Sequence, residues 1–190
     1  MKNEFRDRLR AQLAVLADSD VRRHSAQVWE RLAVLNEFAG AEWVLSYVSQ
    51  GREIETHGLI RQLLAMGRHV GVPYFDAAHQ RYGASELRDF DADLVAGKFG
   101  ILEPKPASIR PVPLDKANAW LVPGLAFDPT GNRLGRGRGY YDALLKEARG
   151  VKIALAHDLQ VLSEVPTEIH DVRVDFIVTE VKTVRCVRPR

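Results

Sequence analysis

Apolar residues recur along this chain with two different periods. Phe5, Leu9, Leu13 and Leu16 fall at helical spacing and predict a helix over residues 2–16 with one apolar stripe. Lys2, Arg6 and Arg10 stand four apart and form a basic stripe beside it. Val21, Val28, Leu32 and Leu35 outline a second helix, with Ser19 as its N-cap. The pattern then changes. Residues 43–48, Trp-Val-Leu-Ser-Tyr-Val, are bulky and β-branched and predict a strand. Thr56 caps a helix carrying Leu59, Ile60, Leu63 and Leu64, and Gly67 ends it. His69 to Tyr74 reads as the next strand. Strand, helix and strand within about 30 residues are the signature of a right-handed βαβ unit.

The middle of the chain is less regular. Short strands are expected around Arg81-Tyr82 and Phe99-Gly100-Ile101, and Pro104, Pro106, Pro111 and Pro113 mark a connection that is neither helix nor central strand. The alternation then resumes. Ala119 to Val122 is a short strand ending at Pro123-Gly124. A loop runs to about Gly139, and Tyr141, Leu144, Leu145 and Ala148 form a helix that Gly150 stops. Residues 151–156 and 174–178 are two further buried strands. The order implies a single α/β domain over residues 1–190, an open, mostly parallel, Rossmann-like sheet with helices on both faces.

Composition narrows the class. Hydrophobic residues make up 46% and charged residues 27%, the profile of a globular protein that needs no staple. The one cysteine, Cys186, excludes an internal disulfide framework and an all-cysteine metal site, and fits a cytoplasmic setting. Apolar runs are too short for a membrane span, and the first residues do not read as a signal peptide. A net charge of +2 does not imply nucleic-acid binding. These features point to neither nucleic acid nor membrane as partner, and the chain is expected to be a monomer.

The charge is concentrated where the glycines are. Between Gly131 and Lys152 there are six bases (Arg133, Arg136, Arg138, Lys146, Arg149, Lys152) against two acids, Asp142 and Glu147. Gly131, Gly135, Gly137 and Gly139 accompany them in a loop between a strand and a helix. At the carboxyl end of an α/β sheet that is where an anion binds, on backbone N–H groups and the positive end of the following helix. The spacing matches neither a P-loop nor a dinucleotide fingerprint. The loop reads equally as a flexible basic surface loop or an RNA-contacting segment. Asp142 reads as an acid suiting the helix dipole, or as a Mg²⁺ ligand among phosphates. Asp171, after His170, reads as a turn acid or a second carboxylate for the same pocket. Glu53, on the loop after the first strand, reads as a solvated acid or a ligand-binding one. The six histidines show no metal-ligand spacing, and His157 and His170 read as structural.

Leu121-Val122-Pro123-Gly124-Leu125-Ala126-Phe127-Asp128 followed by Gly131 to Asp142 resembles the signature of the 5-formyltetrahydrofolate cyclo-ligase (methenyltetrahydrofolate synthetase) family. Weaker segments fall in the family's order: Lys2 to Arg6, Glu53 to Thr56, Gly100 to Pro104, and Gln160 to Asp171. Asn118 stands where the family often has Asp, and Arg136 and Arg138 where many members have an aromatic residue and a glycine. The resemblance implies ATP- and Mg²⁺-dependent closure of 5-formyltetrahydrofolate to 5,10-methenyltetrahydrofolate, with release of ADP and phosphate. By position it implies that Lys2, Arg6, Arg133, Leu134, Gly135, Arg136, Gly137, Arg138, Gly139, Tyr140 and Tyr141 meet ATP. It places Glu53, Arg136, Gly137, Arg138, Gly139 and Tyr140 at the folate, with Arg136, Arg138 and Tyr140 as the catalytic residues. Asp142 and Asp171 are its Mg²⁺ ligands. A related ATP-using enzyme for another formyl or amide substrate, or an RNA-binding protein using the Gly-Arg loop, are the alternative classes.

Overall fold

A computed structural model describes residues 2–97, 100–137, 139–168 and 171–187. Its centre is an eight-stranded sheet. Five strands run parallel: β1 (Trp43–Leu45), β2 (His69–Asp76), β7 (Ala119–Val122), β10 (Val151–Leu155) and β11 (Phe176–Val178). Their spatial order is β11-β10-β7-β1-β2. Antiparallel strands close both sides: β12 (Thr183–Arg185) beyond β11, and β3 (Arg81–Leu87) then β6 (Pro111–Val112) beyond β2. The proline-bearing β6 is an edge strand, the position a missing N–H allows.

Alternate strand residues serve opposite faces, as the period of two requires. Val44, Val70, Val72, Leu121, Ile153 and Phe176 share a core with α2 (Asp18–Ala33), α3 (Asn36–Ala39), α4 (His57–Ala65) and α5 (Phe90–Asp93). Leu45, Trp120, Val122, Ala154 and Ile177 pack with α6 (Tyr140–Glu147) and the 3-10 turn Leu114–Lys116. The expected open sheet with helices on both faces is therefore present. Helix α1 (Lys2–Ala14) packs apart from both cores. Its Leu9 and Leu13 bury against Leu125, Ala126, Leu134 and Val165, with Phe5 and Leu16 at the margin. Ala126 and Leu134 belong to a small hairpin, β8 (Ala126–Phe127) with β9 (Arg133–Leu134), inside the connection from β7 to α6.

Several local expectations change. Helix α2 starts at Asp18 with Ala17 as N-cap, so Ser19 lies in its first turn; Asp18 and Asp20 supply the acids that suit the dipole there. Leu35 is outside α2 and caps the short α3 instead. Thr56 does occupy the N-cap of α4, but its hydroxyl donates to Tyr47 O and accepts from Ser49 N–H, tying the loop after β1 rather than the helix. The strand at Arg81-Tyr82 is much longer and pairs with β2 throughout, from Asp76↔Arg81 to Val70↔Leu87. No strand covers Gly100-Ile101, and Phe99 lies outside the described residues; pairing starts at β5 (Leu102–Pro104), against β4 (Leu94–Ala96). Asn118 Oδ1 accepts the Trp43 N–H at 3.0 Å, which joins β7 to the start of β1. Among the described residues no helix is long and apolar enough to cross a membrane.

Candidate active site

The strand order reverses between β1 and β7: from β1 the chain winds outward to β2, from β7 to β10 and β11. Loops leaving two such strands diverge and open a crevice at their carboxyl ends, where α/β proteins take their ligands. Glu53 is on the loop after β1, and the glycine-rich loop follows β7 through the β8–β9 hairpin. An ion pair spans the crevice, Arg136 Nη2 to Glu53 Oε1 at 2.7 Å.

Glu53 is the more enclosed partner, its side chain 13% exposed against 46% for Arg136. Burial pushes its carboxyl above the ordinary value, only partly opposed by the Arg136 charge and the Gln50 N–H bonded to Oε2. Tyr141 lies in the field of the same carboxylate. Burial, then the Glu53 charge, raise its hydroxyl well above the ordinary tyrosine value, so Oη–H stays a donor. That buried Oη has no hydrogen-bond partner among the described residues, and neither has Arg133 Nε. Buried donors left unpaired beside a crevice are available to a ligand.

The loop itself is built by Asp128. This buried carboxylate accepts from Thr130 N–H and Oγ1–H, Asn132 N–H and Nδ2–H, and Val165 N–H. Burial raises its pKa, but these bonds together outweigh burial and hold it below the ordinary value. Gly131 follows at φ +87, and a Cβ there would stand 2.3 Å from Val174 O, so only glycine fits. Gly137 (φ +94) and Gly139 (φ +68, the N-cap of α6) also adopt left-handed backbone.

Helix α1 explains the basic stripe. Docking its apolar stripe on the hairpin turns Arg6 and Arg10 onto the glycine loop: Arg6 Nε donates to Gly135 O at 3.1 Å and Arg10 Nη2 to Arg136 O at 3.1 Å. Lys2 reaches Glu168 Oε1 at 2.8 Å and Asp171 Oδ2 at 3.5 Å. Arg133 is buried, with Nη1 on Pro123 O and Nη2 on Asp142 Oδ1 in the first turn of α6. Leu134 serves from below, its side chain in the core against α1. Gly135 closes on Arg133, whose Nη1 would be 3.0 Å from a Cβ there. Tyr140 is exposed and packs at a tilt of 37° on Tyr82, ring centroids 4.3 Å apart, and Tyr82 in turn meets Phe75 at 5.0 Å. Of this row only Tyr140 is a site residue by sequence; Phe75 and Tyr82 are not, Arg10 reads there only as part of the basic stripe, and Asp128 only as a motif position. The full length of the β2–β3 hairpin, which carries Phe75 and Tyr82, was the missing signal. Arg138 and His170 lie outside the described residues.

The two acids read as a metal pair have separate partners. Asp142 faces Arg133, while Asp171 faces Lys2 and accepts the Glu168 N–H at 2.7 Å. Asp171 lines an open pocket of about 450 Å³ with Asn132, Thr167, Glu168 and Arg173. The carboxylate, amide and hydroxyl oxygens around Asp171 are hard donors that suit Mg²⁺ carrying phosphate, while Asp142 is not among the residues that line this pocket.

A reversed-order α/β sheet whose crevice is edged by a cationic, glycine-rich loop is the arrangement in which proteins of this class take phosphate-bearing, anionic small molecules. The 5-formyltetrahydrofolate cyclo-ligase family matches residues 1–180, and the chain belongs to that family. It is 28% identical over 189 residues to the 5-formyltetrahydrofolate cyclo-ligase of Mus musculus, covering 94% of this chain and 93% of that one. It is 36% identical over 140 residues to the enzyme of the same name from Mycolicibacterium smegmatis, covering 72% of each. The solved structure of Aquifex aeolicus 5,10-methenyltetrahydrofolate synthetase superposes with a TM-score of 0.87 at 31% identity, covering all of this chain and 94% of that one.

Proposed function

We propose that the protein converts 5-formyltetrahydrofolate and ATP to 5,10-methenyltetrahydrofolate, ADP and phosphate. The whole-chain family match is the observation that carries this reading. The reaction explains why the site is made of positioning and charge. A formyl amide carbon is a poor electrophile, and its oxygen leaves poorly. The formyl oxygen attacks the γ-phosphorus of ATP, the bond to the β-phosphate oxygen breaks, and ADP departs. N10 of the folate then adds to the activated carbon and loses its proton, and the carbon–oxygen bond breaks to release phosphate. Such a transfer is accelerated by alignment and electrostatic stabilisation.

The chain's residues divide accordingly. Lys2, Arg6, Arg133, Arg136 and the N–H groups of the Gly135–Tyr141 segment bind the triphosphate. Arg136 and Arg138 neutralise the phosphoryl group in transit. Arg136 leaves Glu53 for phosphate as ATP enters, and Glu53 then accepts hydrogen bonds from the folate. Tyr140, on its Tyr82 and Phe75 row, offers the folate ring a face, and Tyr141 Oη donates to the ligand. Asp142 and Asp171 would hold Mg²⁺, which when bound offsets phosphate charge. We read the enzyme as a cytoplasmic monomer. Purified protein with 5-formyltetrahydrofolate and MgATP should develop the absorbance of the methenyl product, and only with nucleotide. Turnover without nucleotide, or none with it, contradicts the proposal.

A further inference from the structure

At the carboxyl end of the sheet, three side chains distant in sequence converge: His24 from α2, His157 after β10 and Glu180 after β11. Their ligand atoms all lie within 4.8 Å of one another. His24 Nδ1 is 2.9 Å from His157 Nδ1 and 3.6 Å from Glu180 Oε1. Ligands about 2.0–2.1 Å from a tetrahedral Zn²⁺ stand about 3.3 Å apart, between these two separations.

The hydrogen bonds around the cluster fix how its lone pairs point. His157 Nε2 is 2.9 Å from Arg52 O, a carbonyl that only accepts, so Nε2 carries the proton and Nδ1 a lone pair. The ring is fully buried, and burial favours its neutral form. Glu180 Oε2 accepts the Asp158 N–H at 2.9 Å, which orients Oε1. Ring N–H to carbonyl and backbone to carboxylate are the supports that metal-bound histidines and carboxylates ordinarily have. The remaining proton, on His24 Nδ1, is held between a ring nitrogen and a carboxylate oxygen.

We propose that His24, His157 and Glu180 form a binding site for a divalent transition-metal ion of the zinc class. The ion takes the place of the proton on His24 Nδ1, which passes through solvent to Nε2 of the same ring. Two imidazoles and a carboxylate leave the fourth position of a tetrahedral ion to water. The site joins α2 to the ends of β10 and β11. Through His157 and Arg52 O it also holds the loop that presents Glu53. Bound metal therefore stabilises the fold and that loop.

The test uses untagged, chelator-stripped full-length protein and Zn²⁺ alone, competed against a chromophoric chelator and followed by thermal melts. The expected result is one equivalent bound and a raised melting temperature. His24→Ala and Glu180→Gln, both at partly exposed residues and checked for folding by circular dichroism, should each weaken Zn²⁺ at least about tenfold. Loss of binding in folded variants supports the site. Uptake that survives both variants, or a melting temperature that Zn²⁺ leaves unmoved, overturns it.

Discussion

At the scale of single residues, Glu53 carries a conflict between stability and binding. Burial raises its pKa above the ordinary 4.5. The folded state then holds its proton where the unfolded chain has lost it, so the contribution to stability is full below about pH 4.5 and is lost as pH rises through the folded value. Glu53→Gln resembles the protonated form at every pH. It should match the parent's melting temperature below pH 4.5 and exceed it at neutral pH. The same change should weaken 5-formyltetrahydrofolate about ten- to a hundredfold, roughly 1.5–3 kcal/mol, and leave ATP affinity nearly unchanged. Melts across pH and separate ligand titrations check both halves. A variant less stable at neutral pH would show that the bond to Arg136 outweighs burial. Glu53 was legible in sequence because it sits on a loop after a strand. Tyr141 was legible only as a motif position, since its buried, unpaired hydroxyl depends on packing that no spacing reveals. His24 and His157 illustrate the limit: 133 residues separate them, and metal-ligand spacing is a local signal.

At the scale of elements, α1 is the part most exposed to a test. Its apolar stripe was readable from periodicity, but what it packs on was not, because the β8–β9 hairpin has only two residues in each strand. Leu9 is 1% exposed in a small core of its own. Leu9→Ala should cost about 2–4 kcal/mol and free α1 locally. Arg6 and Arg10 leave the loop with it and Lys2 leaves Glu168 and Asp171, so the KM for ATP should rise more than that for folate, and proteolysis near the α1–α2 connection should quicken. Equal changes in both KM values would contradict the docking role. Helix α6 offers a second test. Asp142 pairs with Arg133, whose side chain is 4% exposed. Asp142→Asn leaves that buried guanidinium a neutral acceptor and should cost about 1–3 kcal/mol. If Asp142 also serves Mg²⁺, kcat falls, the Mg²⁺ requirement rises and added Mg²⁺ partly restores the rate. Stability loss with the parent's Mg²⁺ dependence would confine it to the ion pair.

At the scale of the whole molecule, the alternation of strand and helix was enough to anticipate an open α/β sheet, because buried strands and amphipathic helices have different periods. The antiparallel borders were harder to anticipate. β3 mixes Arg81, Tyr82, Gly83 and Ser85 with few large apolar residues, so its length comes from pairing with β2 rather than from pattern. The crevice between β1 and β7 follows from strand order, which no local reading supplies, yet it unites Glu53 with Arg136 across 83 residues. In the proposed mechanism that union keeps a cation in reserve on a buried acid until a phosphate arrives. The central claim is that ATP activates the formyl oxygen. It is tested most directly with 5-formyltetrahydrofolate carrying ¹⁸O in the formyl group, following the label by mass spectrometry of the released phosphate. The expected result is one labelled phosphate for each methenyltetrahydrofolate formed. Methenyl product accompanied by unlabelled phosphate, or by no ADP, would contradict it.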